Sequence, residues 1–468
     1  MQSEQKSNQA LIGGSSLTLD QLTSVTRQSP EGLRIDFSSH LKQGLDGTRD
    51  NFKRLYEQYL DEQFSQTGKS HIVVSPHSAE VVSLVEAELF RKERSGRLAK
   101  LFDRYDKSLA ANTVVPEALK DVVLIGGYGS AEATMEVGLA LGLNPASYGV
   151  SMFANGELDY RIFQNVRRKH VYIIQASCVD PVKDVQALRF AVACARGSSA
   201  GEIHVIQGHF PYARQDRYET KCEEKGRNAI SVAEVARDLE HAGADSITAL
   251  DLHCVQSGAA TTIPFKSIPT QQLFVDELIK LYGDRPIMVL APDAGAAKRG
   301  DYMSRELQTV LKSQDIVDGI KQANPNADVV IGSIIKPDIA SGMLHKIRVK
   351  DNQVDRMQFV GDVSQVQGRV VIIPDDLTDT CETLLKASEL MKSLGAELCV
   401  PCISHSIMSN AAVERVRASG LIDKLLTTDT VALRRGCGDL IISLPSAPLI
   451  ANIIRGIETG SGLAPLVH

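Results

Sequence analysis

The chain has 468 residues, 43% of them apolar and 23% charged, the proportions of a globular protein large enough for two or three domains. Fifty-one Lys and Arg against 57 Asp and Glu leave a formal charge of −6. That balance argues against nucleic acid as a partner, and no run approaches the ~18 apolar residues of a membrane span. MQSEQKSNQA has no apolar core of a secretory signal, and eight cysteines, none before Cys178, do not read as a disulfide framework. A reducing, cytoplasmic setting is the expectation.

Residues 1–50, rich in Ser, Gln and Gly without a sustained period, read as a largely mobile arm. Phe52, Leu55, Tyr56, Tyr59 and Leu60 share one face of a predicted helix. A short strand at 71–75 and a helical stretch to about Asp106 follow; the charged run Arg91–Lys100 is a solvated helix face, interrupted by Glu93. From about Lys120, short β-branched runs alternate with helical segments. Strands are predicted at 122–126, 171–175, 203–207, 247–253, 287–293, 329–335, 370–376, 397–404 and 440–445. Between them Val232, Val235, Ala236 and Leu239 share a helix face, as do Leu384, Ala387, Met391 and Leu394, the latter stopped by Gly395. Apolar strands alternating with helices give an α/β fold with parallel sheets covered on both faces. Ligands of such sheets bind beyond the carboxyl ends of the strands.

Three short motifs fail. Gly127-Tyr128-Gly129 lacks the third glycine of a dinucleotide loop, because position 132 is Glu. Gly68-Lys69-Ser70 ends like a phosphate-binding loop but has Gln63 where its first glycine belongs. Cys399 and Cys402 sit three apart in a predicted strand and so face opposite sides, which suits neither zinc nor a dithiol.

The strongest local signal is VVIIPDDLTDTCETL, 370–384. Asp375 and Asp376 close an apolar strand, and Thr378 to Thr383 run into a helix. Backbone N–H groups at a helix N-terminus, with the Thr378, Thr380 and Thr383 hydroxyls, suit a phosphate monoester. Adjacent carboxylates accept hydrogen bonds from vicinal hydroxyls, so the pair of features describes a pocket for a ribose 5-phosphate; an acidic capping turn is the plain alternative. Lys346 and Arg348 alternate along an extended segment and share a face, as two cations aimed at transferring phosphoryl groups would. By spacing alone the solvated edge strand is the stronger reading, and only the surrounding segments reverse it.

In these and further segments the chain resembles the ribose-phosphate diphosphokinase (phosphoribosyl pyrophosphate synthetase) family. The matching segments are 153–162, 210–217, ISVAEVA with 241–253, 291–299, 345–363 and the loop after strand 370–376, in family order. The resemblance implies two tandem type I phosphoribosyltransferase-like domains, 117–269 and 270–468, the last helix and tail returning to the first, behind an N-terminal extension, 1–116. It implies transfer of a diphosphoryl group from ATP to ribose 5-phosphate, with Mg2+ as cofactor, in a homo-oligomer, usually a hexamer.

Carried over residue by residue, the resemblance places Phe153, Asn155, Glu157, Arg214, Gln215 and Asp216 on ATP. Asp375, Asp376, Thr378, Asp379, Thr380, Cys381 and Thr383 go to ribose 5-phosphate. Lys346, Arg348 and His253 are catalytic, and His253 with Asp293 meets the metal. The chain departs from the family pattern at Glu382 and Ala296, where glycine is usual, and in a surface insertion at 313–328. A non-catalytic regulatory paralogue is the rival and would be expected to lose Lys346, Arg348 or the 375–383 loop; a phosphoribosyltransferase consuming the product would not need the ARQD and KxR elements.

Overall fold

The computed structural model describes residues 9–12, 15–18, 70–73 and 83–85. From 115 onward it describes all but 147, 177–179, 221–225, 324–338, 348–355, 409–410, 432–439, 462 and 464–468. The expected helix at 52–60, the run 91–100, the strand at 329–335 and Arg348 lie outside those residues. Before 115 the described backbone is four short strands: β1 (Gln9–Ile12) pairs antiparallel with β2 (Ser15–Thr18), and β3 (Ser70–Val73) with β4 (Ser83–Val85). In the sequence, Gly13-Gly14 between the first two strands is a two-residue hairpin signal.

Contacts divide the chain into two units. The first comprises Met1–Thr248, Gln256–Lys266 and Ile450–Gly462; the second comprises Ala249–Val255, Ser267–Leu449 and Leu463–His468.

The first unit is built on β5 (Val122–Gly126), α1 (Ala131–Leu141), the antiparallel pair β6 (Tyr148–Met152) and β7 (Leu158–Ile162), β8 (His170–Gln175), α2 (Pro181–Gly197), β9 (Glu202–Gln207), α3 (Ser231–Ala242), β10 (Ser246–Leu250) and β11 (Phe265–Ile268). The sheet order is β11-β10-β9-β8-β5, with β5–β8 and β8–β9 parallel. Val171 to Ile174 are all fully buried, which is why the strand reads as an unbroken apolar run. The α2 helix begins where Asp180 accepts from the Val182 and Lys183 amides at 3.1 and 3.2 Å and Pro181 occupies the first helical position. On α3 the four residues expected on one face are all buried.

The second unit contains α4 (Gln271–Tyr282), β12 (Ile287–Ala291), α5 (Ala297–Ala323), β13 (Ile339–Ile347), β14 (Arg356–Val360), β15 (Val370–Thr378), α6 (Glu382–Ser393), β16 (Leu398–Ser406), α7 (Ala412–Ser419), β17 (Leu425–Thr428) and β18 (Ile441–Leu444); α8 (Ala447–Glu458) runs on into the first unit. Its sheet order is β14-β13-β12-β15-β16-β17-β18, parallel except for the β13–β14 pair. Alternation along each strand feeds two cores. Met288, Leu290, Val371, Ile373, Cys399 and Ile403 pack with α6 and α7 on one face. Ile287, Val289, Val370, Ile372, Val400 and Cys402 pack with α4 and α5 on the other. Cys399 and Cys402 thus face opposite sides.

Three boundaries differ from the sequence expectation. The strand expected to reach residue 253 ends at Leu250, because Asp251 adopts a left-handed backbone, φ +41°. The strand expected to end in two acids continues through them to Thr378, paired with His405 and Ser406 of β16. Residues 313–323 of the expected surface insertion continue α5 as helix.

Candidate functional site

The carboxyl edge of the second unit's sheet gathers the polar residues. Asp375 and Asp376 are successive residues of β15, and their side chains lie close enough to hydrogen-bond one another. The Asp376 side chain, 6% exposed, takes His253 Nδ1 at 2.6 Å on one oxygen and lies 3.4 Å from Arg299 Nη1 on the other. Asp375 is half-buried, and its Oδ1 accepts from the Asp376 amide at 3.0 Å.

Their electrostatics diverge. Burial pushes the Asp375 carboxyl well above the usual range, and the Asp376 and Asp293 charges push it further. Burial also acts to raise Asp376, but the His253 hydrogen bond and the Arg299 charge outweigh it and hold that carboxyl below its ordinary value. Burial works against the Arg299 cation, yet Asp251 and Asp376 prevail and its proton is held more firmly than usual.

Past β15 the chain turns at Cys381, φ +62°, into α6. Cys381 is 2% exposed, its Sγ is 3.2 Å from Met408 Sδ, and burial raises its thiol pKa. Arg415 Nη2 donates to the Thr380 carbonyl at 3.0 Å, and the Ile407 amide donates to that of Thr378 at 2.9 Å, pinning the turn. Thr378 is buried; Asp379, Thr380 and Thr383 are half-buried, and Glu382, first residue of α6, is exposed. First-turn amides have no acceptor within a helix, so this N-terminus can take an anion.

His253 and Asp293 lie three and two residues beyond the ends of β10 and β12, rather than at the last strand positions. Asp293 Oδ1 accepts from the Ala296 amide at 3.0 Å, which sets the turn into α5. The accumulation of carboxylates around Asp375 fits a hard divalent cation. Magnesium is commonly held by one or two carboxylates plus substrate phosphates, so a full protein cage is not required. Among the described residues no cluster of three or more ligating side chains forms one.

In the first unit Phe153, Asn155 and Glu157 occupy the turn between β6 and β7. The Phe153 amide donates to the Glu157 carbonyl at 2.8 Å, Asn155 Oδ1 accepts from the Glu157 amide at 3.1 Å, and Gly156 takes φ +91°. The Phe153 ring is 40% exposed. Arg214 and Gln215 are exposed after a turn in which Tyr212 has φ +62°. Gln215 Oε1 accepts from Ser231 Oγ at 2.6 Å, and Asp216 Oδ1 is 3.7 Å from Arg217 Nε. Lys346 belongs to β13, opposite Met357 of β14, in the part of the strand that runs past Met343, the last residue paired with β12.

The structure therefore brings together His253 and Asp376, sets Asp375 within the field of Asp293, and gathers Thr378–Thr383 around one helix start. Sequence reasoning missed Asp251, Gln271, Arg299, Ser404 and Arg415. Asp251 and Arg299 were inside matched segments, but a single Arg at a helix start looks like a solvated charge until its burial is known.

Comparison with known proteins follows the same division. The N-terminal domain of ribose phosphate pyrophosphokinase matches residues 122–243, and the phosphoribosyl synthetase-associated domain matches 287–467. Ribose-phosphate pyrophosphokinase of Campylobacter jejuni is 30% identical over 71% of this chain and 95% of its own. The Burkholderia pseudomallei protein of that name is 30% identical over 74% and 97%. Ribose-phosphate pyrophosphokinase 2 of Schizosaccharomyces pombe is 27% identical over 75% and 98%. The crystal structure of phosphoribosylpyrophosphate synthetase from Mycobacterium smegmatis shares the fold with a TM-score of 0.60 at 24% identity, over 73% of this chain and 100% of that one.

Proposed function

Because the chain belongs to the ribose-phosphate pyrophosphokinase family, we propose that it transfers the diphosphoryl group of ATP to the anomeric hydroxyl of ribose 5-phosphate. A bond forms between that oxygen and the β-phosphorus, the bond from the β-phosphorus to the α-phosphate oxygen breaks, and AMP leaves. The anomeric hydroxyl gives up its proton, and phosphoribosyl diphosphate is the product. The observation that carries the reading is the strand–turn–helix from Asp375 to Glu382, which sets paired acids beside an anion-binding helix start.

The sugar phosphate rests on the α6 amides with Thr378, Thr380, Cys381 and Thr383 around it, its diol toward Asp375, Asp376 and Asp379. ATP is held by Phe153, Asn155, Glu157, Arg214, Gln215 and Asp216. Lys346 and Arg348 neutralise the phosphoryl groups in flight, the main demand of this chemistry. Asp293 and His253 would hold magnesium together with substrate phosphates, and the metal would supply further charge neutralisation. His253 is oriented by Asp376 for that task. The domains of the proposal are 117–269 and 270–468, the assembly is a homo-oligomer of hexamer type, and the setting is cytoplasmic. Among the described residues no helix is long and apolar enough to cross a membrane.

The test is AMP formation by the purified chain with ATP and magnesium, with and without ribose 5-phosphate. AMP should appear only when the sugar is present. No AMP in either case would favour a non-catalytic paralogue of the same fold.

A further inference from the structure

Asp251 follows β10 directly and has a left-handed backbone, φ +41°, which a residue with a side chain adopts only when its surroundings hold it there. Its amide donates to the Ile268 carbonyl at 2.7 Å. Its carboxylate, 8% exposed, is filled from three elements. Oδ2 accepts from Gln271 Nε2 of α4 at 3.0 Å and from Ser404 Oγ of β16 at 2.5 Å; Oδ1 accepts from Arg299 Nε of α5 at 3.0 Å. A carboxylate offers about four acceptor positions. With three occupied by protein and little surface open, Asp251 is poorly placed to ligate a metal or a substrate hydroxyl.

Its effect passes through the guanidinium. An Arg fork is planar and rigid, so fixing one nitrogen aims the others. With Nε on Asp251 and Nη2 3.5 Å from the Leu252 carbonyl, Nη1 comes to lie 3.4 Å from Asp376 Oδ1. The remaining Asp376 oxygen holds His253. Four side chains form one line of contacts from a strained turn to the site.

We propose that Asp251 is a positioning residue of this site: it holds the Arg299 guanidinium in the orientation that meets Asp376, and through Asp376 it fixes the His253 ring. The role rests on the proposed function, since it serves the groups assigned there to ribose 5-phosphate and magnesium–ATP. Buried ion networks of this kind are weak devices for stability alone, because desolvation offsets their attraction. A task in orienting the site accounts for keeping one.

The experiment uses the full chain with ATP, magnesium and ribose 5-phosphate, reading AMP. Asp251→Asn should lower kcat by about tenfold or more while the ATP KM, set by residues of the first unit, changes less than about twofold. Arg299→Lys keeps the charge and loses the fork, and should lower kcat comparably. The double variant should be no worse than the poorer single, because both changes break the same line of contacts. Losses that multiply in the double variant, or an Asp251→Asn kcat within about threefold of the parent, would overturn the proposal. If Asp251→Asn does not fold by circular dichroism, Ser404→Ala decides. That change removes one bond from Asp251 without altering charge, and should cost about threefold in kcat at constant ATP KM; a parental kcat there overturns the role. An unsubstituted chain that forms no AMP instead refutes the proposed function, and this role with it.

Discussion

Arg299→Met takes one cation from between two carboxylates, and its consequence for stability can be sized from the geometry. The Arg299 side chain is 15% exposed and its partners 8% and 6%. At an effective dielectric of about 20, unit charges 3.0 and 3.4 Å apart attract by about 5.5 and about 4.9 kcal/mol. Desolvating three ions offsets most of that gross attraction, at several kcal/mol each. Removing the cation, however, leaves both acids desolvated and loses what compensated them. The expected loss is therefore ~3–5 kcal/mol, a large share of the ~5–15 kcal/mol that holds a typical fold together.

The chain has no tryptophan, so Tyr302→Trp on α5 gives the second unit its own fluorescence. Urea unfolding of the Arg299→Met variant in that background should show a lower midpoint at unchanged slope. Adding Asp251→Asn should then recover about 1 kcal/mol or more, since one of the two uncompensated charges disappears. A loss below about 1 kcal/mol, or no recovery in the double variant, would show that the carboxylates do not depend on Arg299 and would refute the reasoning.

The remaining predictions concern catalysis and pH. Lys346→Ala should lower kcat by about 100-fold, or ~2.7 kcal/mol, with little change in either KM, measured by AMP release; retained turnover removes Lys346 from the reaction. Glu382→Gly should change the ribose 5-phosphate KM by less than about threefold, under ~0.7 kcal/mol; a tenfold fall would mean the carboxylate faces the phosphate. His405 is fully enclosed, and burial lowers its pKa. The unfolded chain therefore binds that proton more readily, and stability should fall as pH drops below ~6.5, by up to ~1.4 kcal/mol per pH unit for this group. His405→Gln should flatten that slope in the urea midpoint of the second unit; an unchanged slope would assign it elsewhere.

How much the sequence revealed follows from what each feature depends on. Strands such as Ile287–Ala291 and His170–Gln175 were legible because a parallel strand covered on both faces must be apolar throughout. The 375–383 loop was legible because its acids and hydroxyls are contiguous. Asp251 and Arg299 were not, since the bond between them spans 48 residues of sequence and that from His253 to Asp376 spans 123. The two misplaced strand ends have opposite causes. A left-handed residue cut one strand short at Leu250, and continued pairing to β16 carried the other past its acids. Neither cause leaves a periodic trace.

The turn into α6 shows why a departure from the expected residue need not disable a site. Glycine at position 382 would be required only if that residue had to adopt φ above zero. In this chain the left-handed position is Cys381, and Glu382 already begins the helix. The cost of φ +62° at Cys381 is of order 1 kcal/mol. It is offset by burial of the side chain to 2% exposure, with Sγ against Met408 and accepting from Thr378 Oγ1 at 3.5 Å. An anion at this helix start would be held by backbone amides, which are present whatever side chain follows them. The exposed Glu382 carboxylate stands in the first helical turn, where the helix dipole favours a negative charge. The substitution thus alters the surface of the loop while leaving its corner and its donors in place.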